Sequence, residues 1–73
     1  MTSTDFKSSR LSLGLTRREL AGVLGITYDH VRAMEKAPGT AGARVVTGRT
    51  ARDMQRLVGG YRPPEWPKSS GIT

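Results

Sequence analysis

Residues 15–36, LTRRELAGVLGITYDHVRAMEK, decide the reading of this chain. Leu20 and Leu24 stand four residues apart, which gives the first segment one apolar helical face. Gly25 closes that segment, because a chain leaving a helix sharply needs a residue that tolerates positive φ. Ile26 is expected to anchor the turn in the core. Thr27 stands where an N-cap belongs, its hydroxyl able to accept a backbone N–H of the next helix. Val31 and Met34, six and nine residues beyond Gly25, bring a second helix back onto the first. That packing turns Tyr28, Asp29, Arg32 and Ala33 outward. Ala21 is small because the two helices meet there, and a longer side chain would push them apart.

Two helices joined in this way read as a helix-turn-helix, whose second helix can be inserted into DNA. The longer stretch 10–36, RLSLGLTRRELAGVLGITYDHVRAMEK, resembles the helix-turn-helix of lambdoid phage repressors, Cro proteins and their bacterial (XRE-type) relatives. The match spans the three helices of that core, with LGLT at 13–16 and the frame Ala21, Gly25, Val31 and hydrophobic Met34. The resemblance implies an all-α, lambda-repressor-like bundle of about four helices. It also implies a homodimer that represses a phage or mobile-element operon, in many cases its own, from a short inverted repeat. Half-sites are then expected about one turn apart, ~34–36 Å between centres.

The resemblance assigns two further roles. An arginine in the first helix of such proteins forms a buried ion pair with a glutamate late in the third, which matches Arg10 and Glu35 here. Its role would be structural, holding the recognition helix at a fixed angle. The first position of the second helix contacts a phosphate through a glutamine; Arg17 occupies that position here, with Arg18 beside it.

Length and charge bound the rest. At 73 residues the chain has room for one domain and little more, so a dimer interface would add stability. With no cysteine and one histidine, neither a disulfide framework nor a thiolate or histidine-cluster metal site is available, and no cofactor is expected. No signal peptide or long apolar run is present, which points to the cytoplasm and away from a membrane. Twelve basic against six acidic residues give a net charge of +6, the electrostatic footprint of a polyphosphate partner. Residues 1–36 carry six basic and four acidic side chains, a net of +2; residues 37–73 carry six and two, a net of +4. Arg44, Arg49, Arg52 and Arg56 therefore follow the recognition helix as candidates for phosphates beside the groove.

Along the chain, Met1 to Ser3 are expected to be disordered. Thr4 is expected to cap a first helix, with Asp5 at the positive end of its dipole. Phe6, Arg10 and Leu13 recur as an inward face, and Gly14 ends the helix. Thr16 with Glu19 three residues later makes a capping box for a second helix running to Leu24. The recognition helix is expected over 28–36. Pro38, Gly39, Gly42 and Gly48 make 37–48 a loop, longer than the connection in most relatives. Val45 and Val46 either form an extended segment that packs on the core or pairs across a dimer axis, or Val46 joins Thr50, Met54 and Leu57 in a helical stripe. A helix over 49–58 is favoured, with Met54, Leu57 and Val58 inward and Gly59 and Gly60 ending it. A domain over 1–60 is thus followed by a Pro-rich tail, 61–73, whose Tyr61 and Trp66 pack on the domain or on a second subunit, or belong to a flexible segment.

The expected base contacts are Thr27, Tyr28, Asp29, Arg32 and Ala33, from the exposed start of the recognition helix. Arg32 can donate two hydrogen bonds to guanine O6 and N7, and Asp29 can accept from cytosine or orient Arg32. Tyr28 and Ala33 suit a thymine methyl. Backbone contacts are expected from Thr16, Arg17, Arg18, His30, Lys36, Arg44 and Arg49. No nucleophile–base pair, metal spacing or phosphate loop supports an enzyme. The alternative is a protein-interaction module, such as an antitoxin or partner-binding regulator, docking through YRPPEWP.

Overall fold

Four threonines begin four helices. The computed structural model describes residues 1–67 and contains α1 (Ser3–Ser12), α2 (Arg17–Leu24), α3 (Tyr28–Glu35) and α4 (Gly48–Val58), with no strand among the described residues. Thr2, Thr16, Thr27 and Thr47 are the N-caps, each accepting the backbone N–H of the residue three further on, at 3.0, 3.1, 3.1 and 3.3 Å. Each cap satisfies one of the donors a helix start leaves unpaired and is worth about 1 kcal/mol. Helices of eight residues such as α2 and α3 do not persist alone in water, so the caps set their ends while packing holds them.

The first cap corrects an expectation. Thr2, and not Thr4, starts α1, so Thr2 and Ser3 are ordered. The reason is reciprocal bonding: the Thr2 hydroxyl accepts from Asp5 N–H while the Asp5 carboxylate accepts from Thr2 N–H at 3.4 Å. Thr4 would place Lys7 at the third position, a side chain with no acceptor to return the bond.

The core is built from Phe6, Leu15, Leu20, Ala21, Val31, Met34, Val46, Met54 and Leu57, with Leu13, Val23, Leu24, Ile26, Ala51 and Trp66 packed against it. α3 packs on α1 and α2, and α4 packs on α1. Gly25 leaves α2 at φ 72°, and its N–H donates to Ala21 O, turning the chain toward α3 within three residues. Ile26 follows, half-buried against the core as expected.

α4 departs in one position. It begins at Gly48, one residue before the favoured start, and its buried face is Ala51, Met54 and Leu57; Val58 is 53% exposed. Val58 shares the angular position of Ala51 and Met54, so its exposure follows from its place as the last residue of α4 and not from its side of the helix. The valine pair is divided: Val46 enters the core from outside any helix, whereas Val45 is 84% exposed.

The connection from α3 to α4 is ordered by its own turns. Thr40 N–H donates to Ala37 O and Ala43 N–H to Thr40 O, while Arg44 N–H reaches back to Ala33 O at 3.0 Å. Lys36 Nζ donates to Ala41 O at 3.3 Å. After α4 the chain folds back. Pro63 is buried, Trp66 is half-buried against the core, and the Arg62 guanidinium stacks over the Trp66 ring at 4.2 Å while donating to Leu57 O at 2.7 Å. Tyr61 stays exposed, and 68–73 of the Pro-rich tail lie outside the described residues. No helix among the described residues is long and apolar enough to cross a membrane.

Candidate nucleic-acid interface

The candidate site is the exposed side of α3 and what borders it. Thr27 starts α3 with its hydroxyl committed to His30 N–H, so the first turn is fixed before any ligand arrives. Asp29 and Arg32 project from that turn and the next, and their charged groups lie 3.8 Å apart across an i, i+3 spacing. Both are exposed, so this contact orients more than it stabilises. Tyr28 is half-buried between two cations: Arg18 stands 4.8 Å over its ring and Arg32 5.8 Å. These distances are in the range of cation–π attraction, and they tie the start of α2 to the start of α3.

Ala33 is a correction. It was expected outward and is 8% exposed. It sits one turn below Asp29, on the side where the 37–47 connection crosses, and its carbonyl accepts from Arg44 N–H. His30, expected as a backbone contact, is half-buried. The connection and α3 enclose a cleft of about 370 Å³ lined by Thr27, Asp29, His30, Arg32, Lys36 and Arg44 together with Ala33 and Gly42. Gly42 has φ 79°, a left-handed conformation that favours glycine, and Lys36 Nζ lies beside it. Three cationic side chains against one carboxylate make this cleft a setting for an anion.

Arg49 is exposed at the start of α4 and does not line the cleft. Arg52 is exposed on the same helix. Arg56 lines a separate groove with Asp53, Tyr61, Pro63 and Glu65. The four later arginines are therefore dispersed, and Arg44 alone of them meets α3.

Beneath the exposed face lies the ion pair expected between Arg10 and Glu35. Arg10 Nε donates to one Glu35 oxygen at 2.6 Å and its Nη2 to the other at 3.2 Å, while Nη1 donates to Leu15 O at 2.9 Å. Arg17 joins the same carboxylate, its Nε donating to Glu35 Oε1 at 3.0 Å. That second partner was not expected: Arg17 was read as a phosphate contact alone. Its hydrogen bond to Glu35, and then the Glu35 charge, raise its pKa above that of a free arginine. No signal in the spacing reveals the bond, because residues 17 and 35 meet only once α2 and α3 have packed. Two clefts flank Arg17, one lined by Arg10, Thr16, Arg18 and Tyr28, the other by Arg32, Glu35 and Lys36.

No protein-family model, curated protein or solved structure matches this chain.

Proposed function

We propose that this protein is a sequence-specific double-stranded-DNA-binding transcriptional regulator. In this reading α2 and α3 act as a helix-turn-helix, and α3 reads the major groove. The observation that supports it best is the grouping of Tyr28, Asp29 and Arg32 at the start of α3 with Arg17, Arg18, Lys36 and Arg44 around them. A helix bearing hydrogen-bonding side chains in its first turns and cations on both flanks matches the division of labour in groove recognition. Base edges are read from the helix, and phosphates are held from its borders. Arg32 would take guanine through two parallel bonds, with Asp29 holding its fork in line or accepting from a neighbouring cytosine. Thr16, Thr27 and His30 border the same surface, and Arg49 would reach a phosphate only outside the cleft.

The remaining parts follow from the resemblance to phage repressors: a cytoplasmic homodimer on an inverted repeat, acting as a repressor. Val45, Val58 and Tyr61 are the large apolar side chains of the second half that stay exposed among the described residues, and they are candidates for a dimer surface. A partner-docking tail is the less supported alternative, because Pro63 and Trp66 are already spent on their own domain.

Selection of bound sequences from a random duplex pool at about physiological salt tests the reading. An enriched palindrome is the expected result; binding without enrichment that vanishes as salt rises would overturn it. On the selected site Arg32→Ala should cost ~1–3 kcal/mol and relax preference at one base pair. An equal loss on every sequence would reduce Arg32 to a phosphate contact.

A further inference from the structure

Glu35 has more partners than its burial requires. Its side chain is 3% exposed, and Arg10 already covers both oxygens while giving its third nitrogen to Leu15 O. A buried carboxylate paired bidentately in this way is fully satisfied. Arg17 then adds a second cation to the same group and leaves the triad with a net positive charge. For the fold that addition is secondary, since each Glu35 oxygen already has a donor from Arg10.

The position of Arg17 suggests what the arrangement is for. Its side chain is 39% exposed and stands between the two clefts that border Tyr28 and Arg32. The guanidinium is a planar fork of five donors, and the bond to Glu35 uses only Nε–H on one side of it. The end of the fork, with its terminal amino groups, lies toward the Tyr28 hydroxyl and is the part that can reach a second anion. Arg18 stands beside it over the Tyr28 ring, adding charge of the same sign.

We propose that Glu35 is a positioning residue for a phosphate grip. It holds Arg17 by Nε so that the end of the guanidinium takes a phosphodiester of the DNA backbone, in a relay from buried Arg10 through Glu35 and Arg17 to the ligand. The relay fixes both ends of the reading unit to one phosphate, because Arg17 opens α2 and Glu35 closes α3. The proposal rests on the DNA reading above and adds to it the means by which the helix pair is registered on the backbone.

The test uses the full chain and a duplex of mixed sequence, since a phosphate grip is independent of the operator. Affinity is measured across a salt series for the wild type, Arg17→Ala and Arg17→Lys, with thermal unfolding of each in the absence of DNA. Arg17→Ala should lower the salt slope by about one and weaken binding roughly three- to tenfold on every sequence. Arg17→Lys keeps the charge but offers a single ammonium, which cannot serve the carboxylate and the phosphate from two sides of a rigid fork. Its affinity should stay near that of the alanine variant. Both variants should unfold within a few degrees of the wild type, because Arg10 alone satisfies Glu35.

Full recovery of affinity by lysine would overturn the positioning role and leave a plain surface charge. An unchanged slope in Arg17→Ala would overturn the grip, and a large loss of thermal stability would make Arg17 a structural residue. If the wild type binds duplex with no enriched sequence, the regulator reading fails while the relay stands. An enriched palindrome with unaffected Arg17 variants fails the relay alone, and no duplex binding by the wild type overturns both.

Discussion

Across residues 2–35 each helix is announced by its own residues, whereas across 36–67 most of the order depends on what the first part supplies. α1 and α2 have complete capping boxes, and α3 begins with a threonine cap immediately after the left-handed Gly25. α4 has only the cap at Thr47, and its third helical position is Thr50, whose hydroxyl meets Thr47 rather than the Thr47 N–H. The connection before it is held by Arg44 bonding back to α3, and the segment after it by Trp66 lying against the core under Arg62. Local signals thus define the helices carrying the candidate interface. The rest of the chain closes the core beneath them.

The largest expected effect lies in the first region. Glu35→Ala leaves Arg10 buried with only a carbonyl to meet it, and should cost ~3–5 kcal/mol in denaturant unfolding. A loss below about 1 kcal/mol would mean that the ion pair does not set α3 against α1. Next comes Met54→Ala, which empties a fully buried site where α4 meets the core and should cost ~2–5 kcal/mol. The transition should remain single by fluorescence and circular dichroism. Two separate transitions would show that α4 unfolds by itself and would sharpen the contrast between the regions into a division of the molecule.

The caps compare the regions directly. Thr16→Ala and Thr47→Ala should each cost about 1 kcal/mol, and adding Glu19→Ala to the first should cost more, because that change removes the bond Glu19 makes to the backbone N–H of residue 16. No further loss on adding Glu19→Ala would remove the capping box as the reason that α2 is better defined by sequence. Smallest of all, Val45→Asp should leave stability within about 0.5 kcal/mol, because the side chain is exposed. Sedimentation of the same variant should show weakened self-association if Val45 lies on the proposed dimer surface. An unchanged dimer would place the interface elsewhere.

Much of the candidate interface was legible because helix signals are short-range. The threonine at 16, the glutamate at 19, the glycine at 25 and the threonine at 27 act on backbone groups no more than four residues away. The same logic misjudged α1, where both Thr2 and Thr4 are capable caps and only the return bond from Asp5 separates them. Ala33 was misread for a different reason. Its helix position faces outward, but a loop laid across that side meets it, and no periodicity within α3 reports the path of a distant segment.

The sequence by itself determined where α2 and α3 begin and most of the residues of the first three helices that turn inward, and the resemblance to phage repressors supplied the match of Arg10 with Glu35. Those properties depend on 3.6-residue periodicity, on caps reaching three residues, and on the cost of leaving a buried charge unpaired. Only the tertiary structure decided that Arg17 shares Glu35, that Val46 enters the core while Val45 does not, that the loop roofs Ala33, and that Arg62 covers Trp66. Each of these depends on the meeting of surfaces remote in sequence or on the direction in which an irregular segment leaves a helix. That direction is set by the sum of many weak contacts, not by the few strong local bonds a sequence displays.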